Sequence, residues 1–249
     1  MMFYGQTAGP DNRFVYRPLH LLKKPGRERP LVINSRRCLY YSIPKVACTT
    51  VKKFLFELEN PRDQEKLFSP HRVVFDSIGF EDVGQEEYRD YFSFAFVRNP
   101  WDRIVSCYFN KVREPAVAKA CSETMIHGEY REFIRAYGHC GFRYMTFTDF
   151  VRFVSQVPDW ASDIHFRSQH TFINPINLKF LGRLENFNED FSHVAAHLEP
   201  RHKIKSLLKK KMMSSRHRHY TFYYNEETKL LIEERYREDV RMFSYKFGD

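Results

Sequence analysis

The sequence predicts a single-domain α/β fold with a mostly parallel sheet covered by helices on both faces. Three observations predict it. Cys38-Leu39-Tyr40-Tyr41-Ser42 and Tyr91–Val97 (YFSFAFV) are near-continuous apolar runs, the mark of strands buried on both faces. Each is followed within a few residues by the start of a helical pattern. Strand candidates then alternate with helical stretches along the chain, which favours parallel pairing.

In order, residues 1–37 are rich in Pro and Arg and read as an irregular N-terminal arm, ahead of a folded domain spanning 38–249. Strand Cys38–Ile43 leads into a helix over Thr49–Asn60, with Val51, Phe54, Leu55 and Leu58 on one face. Pro61 ends it. Arg72-Val73-Val74-Phe75 is a short β candidate. After Tyr91–Val97, Asn99 can cap, Pro100 suits a first helical position and Asp102 a first turn. Trp101, Ile104, Val105 and Tyr108 form that helix's apolar face. Residues 113–160 read as mostly helical, with a break near Gly138–Gly141. Leu178–Leu184 is a further strand. Phe187, Phe191, Val194, Ala195 and Leu198 mark a helix, residues 200–219 a basic, His-rich loop, and Ile232, Tyr236, Val240 and Phe243 a C-terminal helix.

Hydrophobic residues make up 43% of the chain and aromatic residues 16%, enough for a full core. The formal net charge of +9 favours polyanionic ligands without choosing among nucleotides, acidic sugars, nucleic acid and anionic lipid. No run of ~18 apolar residues exists, so no helical membrane span is expected. Residues 1–14 lack the apolar stretch of a signal peptide, so the expected location is cytoplasmic. Five cysteines without a C-x-x-C predict neither a disulfide framework nor a zinc site, and no metal is expected.

The first chemical constellation is Ile43-Pro44-Lys45-Val46-Ala47-Cys48-Thr49-Thr50, a turn between strand and helix. Backbone N–H groups at the helix start, the Thr49 and Thr50 hydroxyls and the Lys45 ammonium can hold an anion. Here lysine comes first and glycine is absent, unlike a GxxxxGK[ST] loop. On pattern alone, an ordinary turn with Thr49 as cap fits equally well. The second constellation is Arg98 with Ser106. Arg98 ends a buried strand, at the sheet edge where α/β folds bind ligands. Its guanidinium fork suits a phosphate. Ser106 lies roughly 140° from the apolar face of its helix and is free to face a ligand. Alone, these two fit a surface arginine and a helix serine better.

Together, IPKVACTT and FAFVRNPWDRIVSCY resemble the 5′- and 3′-phosphate-binding loops of sulfotransferases that use 3′-phosphoadenosine 5′-phosphosulfate (PAPS). The resemblance is to the carbohydrate sulfotransferases that include the chondroitin 4-O- and heparan 2-O-enzymes. Asp163-Ile164-His165-Phe166-Arg167-Ser168-Gln169 is similar to an HWRPQ-like segment of that family, without its Pro and Trp. Gly182-Arg183-Leu184-Glu185-Asn186-Phe187 resembles its GKxExL stretch, and Tyr223 through Tyr245 its C-terminal helix. The resemblance runs from about residue 38 to 247 and is weakest over 113–160.

The resemblance implies a P-loop-kinase-like sheet and transfer of a sulfuryl group from PAPS, leaving PAP, to a hydroxyl-bearing acceptor, a saccharide or glycoconjugate. It implies neither a metal nor a nucleic-acid partner. Lys45, Val46, Ala47, Cys48, Thr49 and Thr50 would hold the 5′-phosphosulfate, and Arg98 and Ser106 the 3′-phosphate. Cys48 stands where some members carry serine. A histidine base suits proton removal near neutral pH, and Lys45 would stabilise the leaving oxygen. His71, between the two cradles, is the first candidate base. His165 is the second, and with Arg167 it is also a candidate acceptor contact. Arg216 and Arg218, in the basic loop, fit a lid over the nucleotide or a solvated charge run. Rival readings are a sulfotransferase for a small-molecule or lipid hydroxyl, a P-loop phosphotransferase, and a basic nucleic-acid-binding protein.

Overall fold

The computed structural model describes residues 3–5, 16–18, 29–60, 75–113, 145–200 and 217–249. Its strands are β1 (Phe3–Gly5), β2 (Tyr16–Pro18), β3 (Leu31–Ile33), β4 (Cys38–Tyr41), β5 (Asp76–Ser77), β6 (Phe92–Val97) and β7 (Phe180–Arg183). Its α-helices are α1 (Cys48–Glu59), α2 (Pro100–Tyr108), α3 (Phe147–Gln156), α4 (Phe187–Leu198), α5 (Glu226–Arg235) and α6 (Arg237–Phe243). The chain forms two compact units, one of residues 27–99 and 168–214, the other of 1–26, 100–167 and 215–249.

The first unit holds a five-stranded sheet of order β5-β3-β4-β6-β7. β4, β6 and β7 run parallel, as the apolar runs predicted. β3 pairs antiparallel with both β4 and β5, so the sheet is mixed, not mostly parallel. The expected N-terminal arm is shortened accordingly. Leu31–Ile33 belong to the sheet although they sit in the Pro- and Arg-rich stretch, because three residues suffice to pair with Cys38–Tyr40.

All six residues of β6 are buried. Phe92, Phe94 and Phe96 alternate onto one face, where Phe94 stacks on Tyr40 at 4.9 Å and Phe96 meets Phe187 at 5.2 Å. Phe191 of α4 meets Phe54 of α1 at 5.2 Å, so both helices cover this aromatic face. Burying each such ring contributes about 1.5–3 kcal/mol. Gly182 faces the same layer. A Cβ there would lie 2.4 Å from the Phe96 ring, which only glycine avoids.

The second unit is helical, with β1 and β2 as a short antiparallel pair. α3 starts on a Thr146–Asp149 capping box and α5 on an Asn225–Thr228 box. Trp101 Nε1 donates to Lys229 O at 3.0 Å, and Tyr224 Oη donates to Trp101 O at 2.9 Å. The C-terminal helix read as one piece is two. Tyr236 breaks it with φ −112° and ψ 27°, and its buried hydroxyl donates to Phe166 O. Residues 72–74 of the β candidate at 72–75, the break at 138–141 and most of the 200–219 loop lie outside the described residues.

Candidate anion-binding site

The loop between β4 and α1 is strained in a definite way. Lys45 has φ 70° and Ala47 φ 57°, both in the left-handed region, although neither is glycine. Between them Val46 is fully buried, as is Ile43. These two apolar pegs hold the backbone in a conformation that costs about 1–2 kcal/mol per non-glycine residue. The sign of φ alternates across Lys45, Val46 and Ala47, the pattern that turns successive N–H groups inward as an anion nest.

Ala47, not Thr49, is the N-cap of α1, and no side chain caps the helix. Thr50 N and Val51 N both donate to Ala47 O, at 2.9 and 3.2 Å. Cys48 and Thr49, at the first two helical positions, have no acceptor within the helix for their N–H groups. Helix dipole and N–H groups together favour negative charge at this end. The donor set is an ammonium, two hydroxyls and backbone amides, with no carboxylate in residues 43–50. It fits a phosphate-bearing ligand.

Arg98 stands at the carboxyl end of β6, beside this loop. Its Nη1 donates to Lys45 O at 3.1 Å, so the two cationic residues predicted from separate motifs are joined by a direct bond. The backbone of Arg98 is bracketed by the Gln169 side chain. Arg98 N donates to Gln169 Oε1 at 2.9 Å, and Gln169 Nε2 donates to Arg98 O at 2.8 Å. Asn99 N donates to Glu185 Oε1 at 2.7 Å. Motif reading assigned no role to Gln169 or Glu185. The only signal was their presence in the two segments of resemblance, since their contacts are long-range.

In the helical unit, Ser106 is buried at 3% exposure, as is almost every residue of α2. The geometric argument that set Ser106 apart from the apolar face does not leave it exposed, because eight of the nine residues of α2 are buried. Arg167 is buried too, and its Nε and Nη2 donate to Ser162 O at 3.3 and 3.1 Å. The segment is fastened further by Arg103, whose Nη1 donates to Arg167 O at 2.6 Å and Nη2 to Ile164 O at 3.1 Å. Burial lowers the Arg103 pKa, while Tyr236 and Asp239 oppose that shift. Arg103 and Tyr236 were not foreseen as supports of this segment.

His165 is held by Asp163. Its Nδ1 lies 2.6 Å from Asp163 Oδ1, and its backbone N donates to the same oxygen at 2.9 Å. Burial pushes the Asp163 carboxyl up, but the bond and attraction of His165 outweigh burial, and Lys111 adds to them. The carboxyl is left below its ordinary 3.8. This pairing fixes the orientation of the ring. Arg218 is exposed, and its N donates to Tyr223 Oη at 3.1 Å. His71 and Arg216 lie outside the described residues. Among the described residues no cluster of His, Cys, Asp or Glu could hold a metal, and no helix is long and apolar enough to cross a membrane.

The chain belongs to the sulfotransferase family, which matches residues 30–246. It is 28% identical over 198 residues to carbohydrate sulfotransferase 14 of Danio rerio, covering 76% of this chain and 53% of that protein. The Homo sapiens protein of the same name is 28% identical over 185 residues, and the Mus musculus one 29% over 186. Each match covers 66% of this chain and 45% of the relative. The chain thus spans about half the length of the curated relatives it matches. No solved structure matches it.

Proposed function

We propose that this protein is an O-sulfotransferase that moves the sulfuryl group of PAPS to a hydroxyl of a saccharide or glycoconjugate. One observation carries the reading: Arg98 is bonded to a nest-like, carboxylate-free loop at a helix N-terminus. Family membership and the printed names of the relatives support the reaction class and the saccharide acceptor. Residues 45–50 bind the 5′-phosphosulfate, Arg98 the 3′-phosphate. Ser106 keeps its 3′-phosphate role by resemblance alone. The domain runs from about residue 30, where the family match begins.

In this reading the base takes the acceptor proton as the acceptor oxygen bonds to sulfur. Lys45 stabilises the charge collecting on the phosphate oxygen as its bond to sulfur breaks. His71 holds the role of base by resemblance. A second reading gives it to His165, favoured by the Asp163 pairing, which is how an imidazole base is commonly oriented. Mass-spectrometric transfer from PAPS to a panel of sulfated and unsulfated saccharides decides between them. Loss of turnover in His71→Ala but not His165→Ala supports the first. The reverse supports the second. No transfer to any saccharide, with transfer to a steroid or phenol, would move the acceptor to the small-molecule class.

A further inference from the structure

We infer that Gln169 is a positioning residue for Arg98 and thereby sets the preference for a ligand bearing a 3′-phosphate. The inference rests on the PAPS reading. The parallel ladder between β6 and β7 ends at Val97 and Arg183. Arg98 lies one residue beyond it, where that ladder no longer fixes the peptide planes. The Gln169 carboxamide takes that place. It accepts from the N–H of Arg98 and donates to its C=O, the two bonds that a residue of a neighbouring antiparallel strand would exchange.

Both peptide planes flanking the Arg98 Cα are held, so the direction of its Cα–Cβ bond is held as well. Gln169 is fully buried, and the turn that carries it (Gln169–Phe172) is tied by a bond from Thr171 Oγ1 to Ser168 O at 2.7 Å. A carboxamide is required. Glutamate keeps the acceptor for Arg98 N but sets an anionic oxygen against Arg98 O. Alanine removes both bonds. A chain of bonds thus runs from Gln169 through Arg98 to Lys45 O in the phosphate loop.

The test is calorimetric titration of the whole chain with PAP and with adenosine 5′-phosphate, which lacks the 3′-phosphate. The proteins are wild type, Gln169→Ala, Gln169→Glu, Arg98→Ala and the double variant Arg98→Ala/Gln169→Ala. Gln169→Ala is expected to lower the preference for PAP about tenfold or more, with adenosine 5′-phosphate affinity within about twofold of wild type. The double variant is expected to be no worse than Arg98→Ala, because one residue acts through the other. Equal losses for both ligands, or an undiminished preference, overturn the inference, since a general structural role predicts no change in the ratio. If Gln169→Ala does not fold, Gln169→Glu carries the same reading by the same ratio. A wild-type protein with no preference for PAP overturns the PAPS reading itself, and this inference with it. A preference kept by the Gln169 variants but lost in Arg98→Ala overturns only the inference.

Discussion

Two stretches of this protein carry the polar residues expected to meet ligands, and they are built in opposite ways. In residues 43–49 the buried side chains are apolar, Ile43 and Val46, and the backbone is forced into left-handed turns beneath a helix start. In residues 162–167 polar and charged groups are turned inward. Arg167 bonds to Ser162 O, Arg103 bonds to Ile164 O and Arg167 O, and Tyr236 bonds to Phe166 O. The same residue types therefore do different work. A basic residue in a motif marks a ligand site where the backbone exposes donors. It marks a fastening where it saturates buried carbonyls.

The most severe way to break this contrast is Arg103→Ala. It leaves the carbonyls of Ile164 and Arg167 without their donor and should cost about 3–5 kcal/mol in urea unfolding. The protein that remains folded should keep its PAP affinity. Unchanged stability would mean that the 162–167 segment is not held by its buried bonds.

Asp163→Asn is a milder probe of the same segment. It should cost about 1–2 kcal/mol at neutral pH through the lost charged bond to His165. The sign of the pH dependence follows from the lowered carboxyl pKa. Its stabilisation is fully present above the unfolded value near 3.8 and is lost as pH falls through the folded value. The gap between wild type and variant should therefore close on acidification below about 3.8. A gap that stays constant to lower pH would rule out a charged Asp163 as its source.

The smallest effect sharpens the other half of the contrast. Ala47→Gly relieves a left-handed alanine and should stabilise by about 0.5–1 kcal/mol in thermal unfolding. Destabilisation would show that this residue does not hold the left-handed conformation.

The sequence revealed the parts of the fold that periodicity encodes. The buried run of β6, the strand–loop–helix at 38–59 and the Asn99-Pro100 helix start were all legible. β3 was not, because three residues in a Pro- and Arg-rich context carry too little pattern. The break at Tyr236 was hidden because its side chain still falls on the helical apolar stripe. Lys45 and Arg98 were legible as candidate donors. The resemblance set them on one ligand, but the bond between them was not legible, nor were Gln169 and Glu185, whose partners lie 71 and 86 residues away. Such pairings depend on tertiary closure, which no local pattern records.

The central claim is that Arg98 and the Lys45 loop form one site for a bis-phosphorylated nucleotide. Calorimetric titration of wild type and Arg98→Ala with PAP and with ATP–Mg tests it most directly. The account predicts that wild type prefers PAP and that Arg98→Ala weakens PAP binding about 100-fold. Equal PAP affinity in the two proteins, or a preference for ATP–Mg, would contradict it.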